Sequence, residues 1–579
     1  MDYEDNEDKT PNLRTTRTAL PKRSLTLIIR PLLDFANPAT EQAQPIEMAT
    51  NQTGGQAAIA LLERYGVDTV FGIPGVHTLE LYRGLADSKI RHIAVRHEQG
   101  AGFMADGYAR ASGKPGVCVL ITGPGMTNAA TPIGQAYSDS IPMLVLSSVN
   151  ATDDLGKGRG RLHEITSQQA AMAPLTAFSR TVRQAEEMPR AYADAYRIFE
   201  AGRPRPVHIE LPLDLLAAPG PRLDGRAATA IPPEPAPDLI AKAATLIAGA
   251  RRPVILPGGG MVDHGGVVKA LAERIGAAVI PTVAAKGAVP DSHPLCVGST
   301  LSLPPTQELL RGADVVIAVG TELSETDSWI NRLPITGKLI RIDIDPATLT
   351  RDYPPDVAIL ADGGTALAAL LKALGGGSHS QIDRAELARI RDGILPALPP
   401  LQRKHARVLD ALREALPADG IVASDMTQIA YTGCYYFRCE RPRCWFHPLG
   451  YGTLGYALPA AIGAKLAAPE RATVALAGDA GFLFTVQELA TAVELKLPIA
   501  IVLWNNDALA QIAEGMVEKG IPEIGVRQRN PDFIKLGKAF GCRTAKPTSL
   551  ARFKSALTTA FAADGPTLIE VREDSAFLD

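Results

Sequence analysis

The sequence predicts an α/β protein of three consecutive doubly wound parallel-sheet domains. Two observations carry that prediction. From Gly54 onward, short β-rich apolar runs alternate with longer helical patterns, as βαβ units of a parallel sheet require. Two breaker-rich stretches then divide the alternation into three blocks, and 579 residues leave room for about three to five domains of ~100–200 residues.

The first block, residues 51–216, carries the runs Thr69–Phe71, His92–Val95, Val117–Ile121, Met143–Ser147 and Val207–Leu211. A Pro/Ala/Gly-rich linker covers 217–238 and ends in IPPEPAPD at Ile231–Asp238. The second block, 239–375, holds Pro253–Leu256, Ala278–Ile280, Val315–Val319 and Leu339–Ile344, and a helical, proline-ended connector spans 376–400. The third block, 401–579, holds Ile421–Ser424, Thr473–Ala477, Ile499–Leu503 and Thr567–Val571. No period of about 20–50 residues recurs, so a solenoid is excluded and duplication exists only at the scale of whole domains.

Composition narrows the function classes. Lys and Arg number 59 against 62 Asp and Glu, a net charge of −3, and beyond the first fifty residues neither sign forms a long block. No nucleic-acid partner is therefore expected. Cys118, Cys296, Cys434, Cys439, Cys444 and Cys542 suit reduced thiols in a cytoplasmic chain better than a disulfide framework. No apolar run approaches the ~20 residues of a spanning helix, so no membrane segment is expected. Residues 1–50 stand outside this architecture: five acids crowd residues 1–8, then Arg14, Arg17, Lys22, Arg23 and Arg30 follow with no acid among them. The stretch reads as a disordered extension, or as sequence translated from a start upstream of Met48; the opening acids argue against an import segment.

The third block carries the most specific chemical signal. Thr473–Ala477 runs directly into Gly478-Asp479-Ala480-Gly481, with a helical pattern just beyond. A carboxylate at the carboxyl end of a strand, beside glycines and a helix N-terminus, suits a metal–phosphate pair: backbone N–H groups meet the anion while Asp479 meets its cation. The next strand ends in Asn505-Asn506-Asp507, one helical crossover later, so both side chains belong at neighbouring strand tips. An Asp, an Asn and a backbone carbonyl make an oxygen shell fit for Mg²⁺. Taken singly, each segment reads equally well as an ordinary turn.

Together these segments resemble the thiamine-diphosphate (ThDP) enzymes, specifically the acetolactate synthase and 2-oxo acid decarboxylase superfamily, and the likeness runs from near Gly54 to the C-terminus. By the family pattern, Asp479, Asn506 and the carbonyl of Ala508 are metal ligands, with Gly478, Ala480 and Gly481 lining the diphosphate. Gly452-Thr453-Leu454-Gly455-Tyr456-Ala457-Leu458-Pro459 resembles the segment that holds the pyrimidine. Leu454 is then the apolar wedge that bends the coenzyme, and the Gly452 carbonyl accepts from its 4′-amino group. Asp425-Met426-Thr427-Gln428 resembles the loop that helps hold the diphosphate.

In the first block, FGIPG at Phe71–Gly75, RHEQGAG at Arg96–Gly102 and GPGMTN at Gly123–Asn128 complete the likeness. Alone, Glu98 would read as first-turn helix electrostatics. In the family this Glu contacts the pyrimidine N1′ from the opposite subunit and shares a proton with it. The resemblance therefore implies a homodimer or homotetramer with ThDP and Mg²⁺ at the subunit interface, and decarboxylation of a 2-oxo acid through a C2 carbanion and an enamine. Protonation then yields an aldehyde, whereas addition to a second 2-oxo acid yields an acetohydroxy acid, as in acetolactate synthases. A ThDP-fold protein that only binds or regulates is a third reading, and the presence of Glu98, Asp479 and Asn506 argues against it.

Substrate choice is read from departures. Ser140, in SDSIP, stands where several ThDP decarboxylases place a histidine, and Val76, after the GIPG turn and adjoining His77, stands where some carry a polar substrate contact. Gln511–Glu518 differs from the Trp-containing segment common in acetolactate synthases; read as a helix, it puts Glu514 and Glu518 on one face. Paired acids suit a guanidinium, while a solvated helix face is the bland alternative. FGIPGVHTLELYRG at Phe71–Gly84 is similar to the 2-ketoarginine decarboxylase branch, which implies conversion of 5-guanidino-2-oxopentanoate to 4-guanidinobutanal and CO₂. Two other patterns invite weaker readings. Cys434, Cys439, Cys444 and His447 are spaced too widely for a standard zinc finger. Gly258–Gly260 with Asp343 and Asp345 lacks a full G-x-G-x-x-G; relatives of acetolactate synthase often bind FAD there, and an empty or structural middle domain is expected, with FAD left open.

Overall fold

The computed structural model describes residues 52–224, 227–375 and 379–579, so the reading of residues 1–50 lies outside the described residues. The alternation of apolar runs resolves into three sheets in which every strand pair is parallel. The first sheet holds β1 (Thr69–Gly72), β2 (Arg91–Ala94), β3 (Gly116–Leu120), β4 (Met143–Val149), β5 (Phe178–Thr181) and β6 (Val207–Pro212), in the order β2-β1-β3-β4-β6-β5. The second holds β7 (Pro253–Pro257), β8 (Ala278–Val279), β9 (Val315–Val319), β10 (Lys338–Asp343) and β11 (Val357–Leu360), in the order β11-β10-β9-β7-β8. The third holds β12 (Ile421–Ser424), β13 (Trp445–Phe446), β14 (Thr473–Gly478), β15 (Ile499–Asn505), β16 (Arg543–Ala545) and β17 (Thr567–Arg572), in the order β13-β12-β14-β15-β17-β16. Counted each from its own first strand, the first and third sheets share one topology. The predicted three-domain α/β class is therefore what forms, with duplication at domain scale.

Central strands such as β3, β4, β14 and β15 are buried along their whole length, which is why their sequences are unbroken apolar runs. The strands that the apolar runs did not announce are β5, β11, β13 and β16, and each lies at a sheet edge. An edge strand pairs on one side only and needs no continuous apolar run.

The outer two domains share one core. Helix Glu98–Ser112 of the first packs against helix Ala457–Ala467 of the third, and residues of both sheets fill a single apolar cluster. Glycines permit the approach: a Cβ on Gly107 would lie 2.0 Å from the Ala460 carbonyl oxygen, and one on Gly463 would lie 1.9 Å from that of Met104. The middle domain is tied to both neighbours. Arg203 Nη2 donates to both Asp343 oxygens at 2.8 Å, and Asp291 Oδ2 accepts from Cys439 N at 2.8 Å beside Lys286, whose Nζ donates to the Cys434 carbonyl at 3.2 Å. Among the described residues no helix is long and apolar enough to cross a membrane.

Candidate active site

In the third sheet the chain leaves β12 toward one edge and β14 toward the other, so the crevice beyond their carboxyl ends is the topological switch point where open α/β sheets bind ligands. Asp425 follows β12 and Asp479 follows β14. Asp425 is turned inward. Its Oδ1 accepts from Met426 N at 2.9 Å and Gly455 N at 3.0 Å, and its Oδ2 from Gly455 N at 3.1 Å. Burial pushes its carboxyl up to about 7, against the pull of these N–H groups. Asp425 thus fastens the Gly452–Tyr456 loop to the strand tip.

Asp479 is buried, which holds its carboxyl above the ordinary range, and its Oδ2 accepts from Asn530 Nδ2 at 2.7 Å. Gly478 is kept bare by Thr427, whose hydroxyl would lie 2.8 Å from an added Cβ; Gly481 is kept bare by Asp425 Oδ2, at 2.7 Å. Ala480 is buried between them. Asn506 donates through Nδ2 to Gln428 Oε1 at 3.4 Å and Glu573 Oε2 at 3.3 Å, so Oδ1 is the atom available to a cation. Ala508 is buried at the loop that follows. Gln428 also donates through Nε2 to Glu514 Oε1 at 2.9 Å. The predicted helix is present as Ala510–Glu518; Glu514 and Glu518 are both exposed on it, and only Glu514 is tied to Gln428 in this way.

Gly452 stands exposed at φ 68°, and Leu454 is half-buried beside it. The first domain holds this loop: Thr453 Oγ1 donates to Gln135 Oε1 at 3.0 Å, and Gly450 N to Asp139 Oδ1 at 2.8 Å.

Glu98 opens its helix at the carboxyl end of the first sheet, buried, with Oε2 accepting from Asn128 Nδ2 at 2.9 Å. His97 caps the same helix, its Nδ1 accepting from Gln99 N at 3.1 Å. His77 is buried with its ring centroid 5.0 Å from that of His163, and neither Nδ1 has a hydrogen-bond partner among the described residues. Burial, with His163 nearby, lowers the pKa of His77. Val76 is 62% exposed at the rim. A cavity of about 210 Å³ opens near His163, lined also by Thr122, Asn150, Gln168, Thr181 and Glu210. Ser140 is not drawn to this group: its Oγ accepts from Arg203 Nη1 at 3.4 Å, on the side of the middle domain. Asn128, Gln135, His163, Glu488 and Asn530 contact the candidate residues or their loops and were not singled out by sequence. Of these, only Asn128, in GPGMTN, carried any signal.

The two weaker patterns separate. Cys434, Cys439 and Cys444 are buried free thiols, His447 Nδ1 pairs with Ser424 Oγ at 2.9 Å, and no group of three metal-capable side chains converges among the described residues. In the middle domain, Gly258 N donates to Val319 O at 2.9 Å and Gly260 N to Gly320 O at 3.1 Å, while Asp343 is held by Arg203.

Three family models cover the chain in order: the N-terminal thiamine pyrophosphate (TPP)-binding domain of thiamine pyrophosphate enzymes over residues 52–172, their central domain over 240–370 and their C-terminal TPP-binding domain over 425–571. The chain belongs to the thiamine pyrophosphate enzymes. Within that family it is 52% identical over 537 residues, 92% of this chain and 96% of the relative, to the probable 2-ketoarginine decarboxylase AruI of Pseudomonas aeruginosa. It is 33% identical over 538 residues, 90% of the chain and 94% of the relative, to the acetolactate synthase isozyme 1 large subunit of Escherichia coli. A probable acetolactate synthase large subunit of Methanocaldococcus jannaschii is 34% identical over 557 residues, 90% of the chain and 92% of the relative.

Proposed function

We propose that this thiamine pyrophosphate enzyme is a Mg²⁺-dependent decarboxylase that converts 5-guanidino-2-oxopentanoate to 4-guanidinobutanal and CO₂. One observation carries the substrate: Glu514 is bonded to Gln428, which also accepts from Asn506, so an exposed acid stands beside the metal loop where a cationic chain would lie. The 52% identity to a probable 2-ketoarginine decarboxylase supports the same reading.

The donor set fits the coenzyme and its cation. Asp479, Asn506 Oδ1 and the Ala508 carbonyl supply hard oxygen ligands, and Gly478 and Gly481 leave room that a Cβ would fill. When bound, thiamine diphosphate supplies a nucleophilic carbon and an electron sink for the pair released with CO₂. Glu98, steadied by Asn128, holds or releases a proton at the pyrimidine N1′. Leu454 and the Gly452 carbonyl would hold the coenzyme's pyrimidine, with Asp425 keeping that loop on the strand tip. In the middle domain the Gly258 and Gly260 N–H groups and Asp343 are already bonded within the chain, a poor fit to a dinucleotide, so no flavin step is included and the domain is read as a bridge.

A homodimer is the smallest active unit on this reading. Large apolar side chains are exposed beside both half-sites, Val76, Leu79 and Leu162 on the first domain and Phe484, Val517 and Ile524 on the third, as a covered interface requires. A cytoplasmic location completes the reading. The test is CO₂ release and product identification across 2-oxo acids with ThDP and Mg²⁺. The guanidino acid should react to the aldehyde; acetolactate from pyruvate, with no turnover of the guanidino acid, would favour the acetolactate synthase reading that the 33% and 34% identical relatives suggest.

A further inference from the structure

Asn530 reaches two strand tips at once. Its Nδ2 donates to Asp479 Oδ2 at 2.7 Å, to Asp507 Oδ1 at 3.0 Å and to Asn505 Oδ1 at 3.3 Å. Asp479 follows β14, Asn505 ends β15, and Asp507 lies two residues beyond it. The amide orientation is dictated by these partners, since an Asn oxygen turned toward two carboxylates would be repelled.

The segment that delivers Asn530 is paired back onto the metal loop. Leu509 N donates to Val526 O at 2.8 Å, Gln528 N donates to Asp507 O at 3.3 Å, and Ala508 bridges Arg527 in antiparallel register. Asp507 itself stands in the left-handed region at φ 53°. Its N donates to Asn505 Oδ1 at 3.2 Å, and its Oδ2 accepts from Arg572 Nη2 at 3.0 Å. The loop that would carry two of the three metal ligands is therefore held at both ends, and Asn530 is the side chain that links that loop to the third ligand, Asp479, beside the Asp507 backbone N–H, which reaches the same carboxyl. Asp479 and Asp507 oppose each other electrostatically, and the shared amide hydrogens offset that repulsion in the absence of a cation.

We infer that Asn530 is a positioning residue for the divalent cation, fixing the orientation of Asp479 relative to the Asn506–Ala508 ligands before the metal arrives. The inference rests on the thiamine-diphosphate and Mg²⁺ reading of this site. In sequence Asn530 precedes Pro531 and looks like a turn starter, which is the role it would have if its side chain did nothing further. Groups that orient metal ligands from behind typically change metal affinity by about 10–100-fold when removed.

The test titrates Mn²⁺ into the full chain with ThDP present, followed by electron paramagnetic resonance, for wild type, Asn530→Ala and Asn530→Asp. The Asp variant keeps the shape and replaces the donor by an acceptor. Both variants should bind Mn²⁺ at least ~10-fold more weakly. Turnover should be recovered by excess Mg²⁺, with the KM for the 2-oxo acid unchanged. A merely structural role would lower the metal-free melting temperature and leave the Mn²⁺ constant alone. Wild-type affinity in either variant overturns the inference. Failure of the wild type itself to bind Mn²⁺ with ThDP overturns the reading of the metal site, and the inference with it.

Discussion

Glu488, in the third domain, accepts the backbone N–H of His97 at 3.1 Å, one residue before Glu98 in the first domain. The same carboxylate takes the N–H of Arg96 at 3.0 and 3.3 Å and the hydroxyl of Thr491 at 2.7 Å. Gly100 makes the contact feasible, since a Cβ there would lie 2.4 Å from Glu488 Oε1. One domain thus sets the helix start from which another projects its acid.

Glu488→Ala takes the carboxylate acceptor from two part-buried N–H groups, at about 1–3 kcal/mol each, and frees the turn that aims Glu98. Urea unfolding should show a loss of about 2–5 kcal/mol, and kcat should fall; Glu488→Gln, which retains one acceptor oxygen, should fall between. Unchanged kcat and stability in the Ala variant would refute the coupling.

Glu98→Gln should retain coenzyme binding, followed by quenching of intrinsic fluorescence, while CO₂ release drops about 10²–10⁴-fold, the usual range for a lost general acid or base. Undiminished turnover would remove Glu98 from the proposed role.

Asp425 offers a pH test. Its folded carboxyl titrates near about 7, while an unfolded one titrates near ~3.9. The folded state holds that proton more tightly, so the group's stabilising contribution is present below about pH 4 and is lost as pH rises through about 7. Asp425→Asn lacks this loss. Metal-free stability of the variant, relative to wild type, should improve by about 4 kcal/mol between pH 4 and 8; parallel pH profiles would show that the wild-type carboxyl is ionised throughout.

Glu514→Gln should raise the KM for 5-guanidino-2-oxopentanoate about 10–100-fold, the worth of a hydrogen bond to a charged partner, and leave an uncharged 2-oxo acid unaffected. Glu518, which lacks the tie to Gln428, should matter less. Equal effects on charged and uncharged substrates would place the substrate's cation elsewhere.

Gly463→Ala should destabilise the chain by about 1–3 kcal/mol, because the Cβ meets backbone rather than a movable side chain. Gly266→Ala, with nothing within 4 Å of its Cβ, is the control and should stay within about 0.5 kcal/mol of wild type. Equal melting curves for the two would show that the helices separate at little cost.

The residue order alone determines the sheet class, the three blocks and the strand tips that carry Asp479, Asn506 and Glu98, because these are local patterns: apolar runs long enough to be buried on both faces and glycines at the turns that follow them. It also places Glu514 on a helix. It does not reveal β5, β11, β13 and β16, whose edge position removes the need for an apolar run. Nor does it reveal that Asp425 faces inward, that Ser140 meets Arg203, or that Glu488 and Asn530 serve residues 391 and 51 positions away in sequence. Those relationships were decided by the tertiary structure: a buried N–H or carboxylate must find a partner wherever the packed chain supplies one, and nothing in its sequence neighbours says where that is.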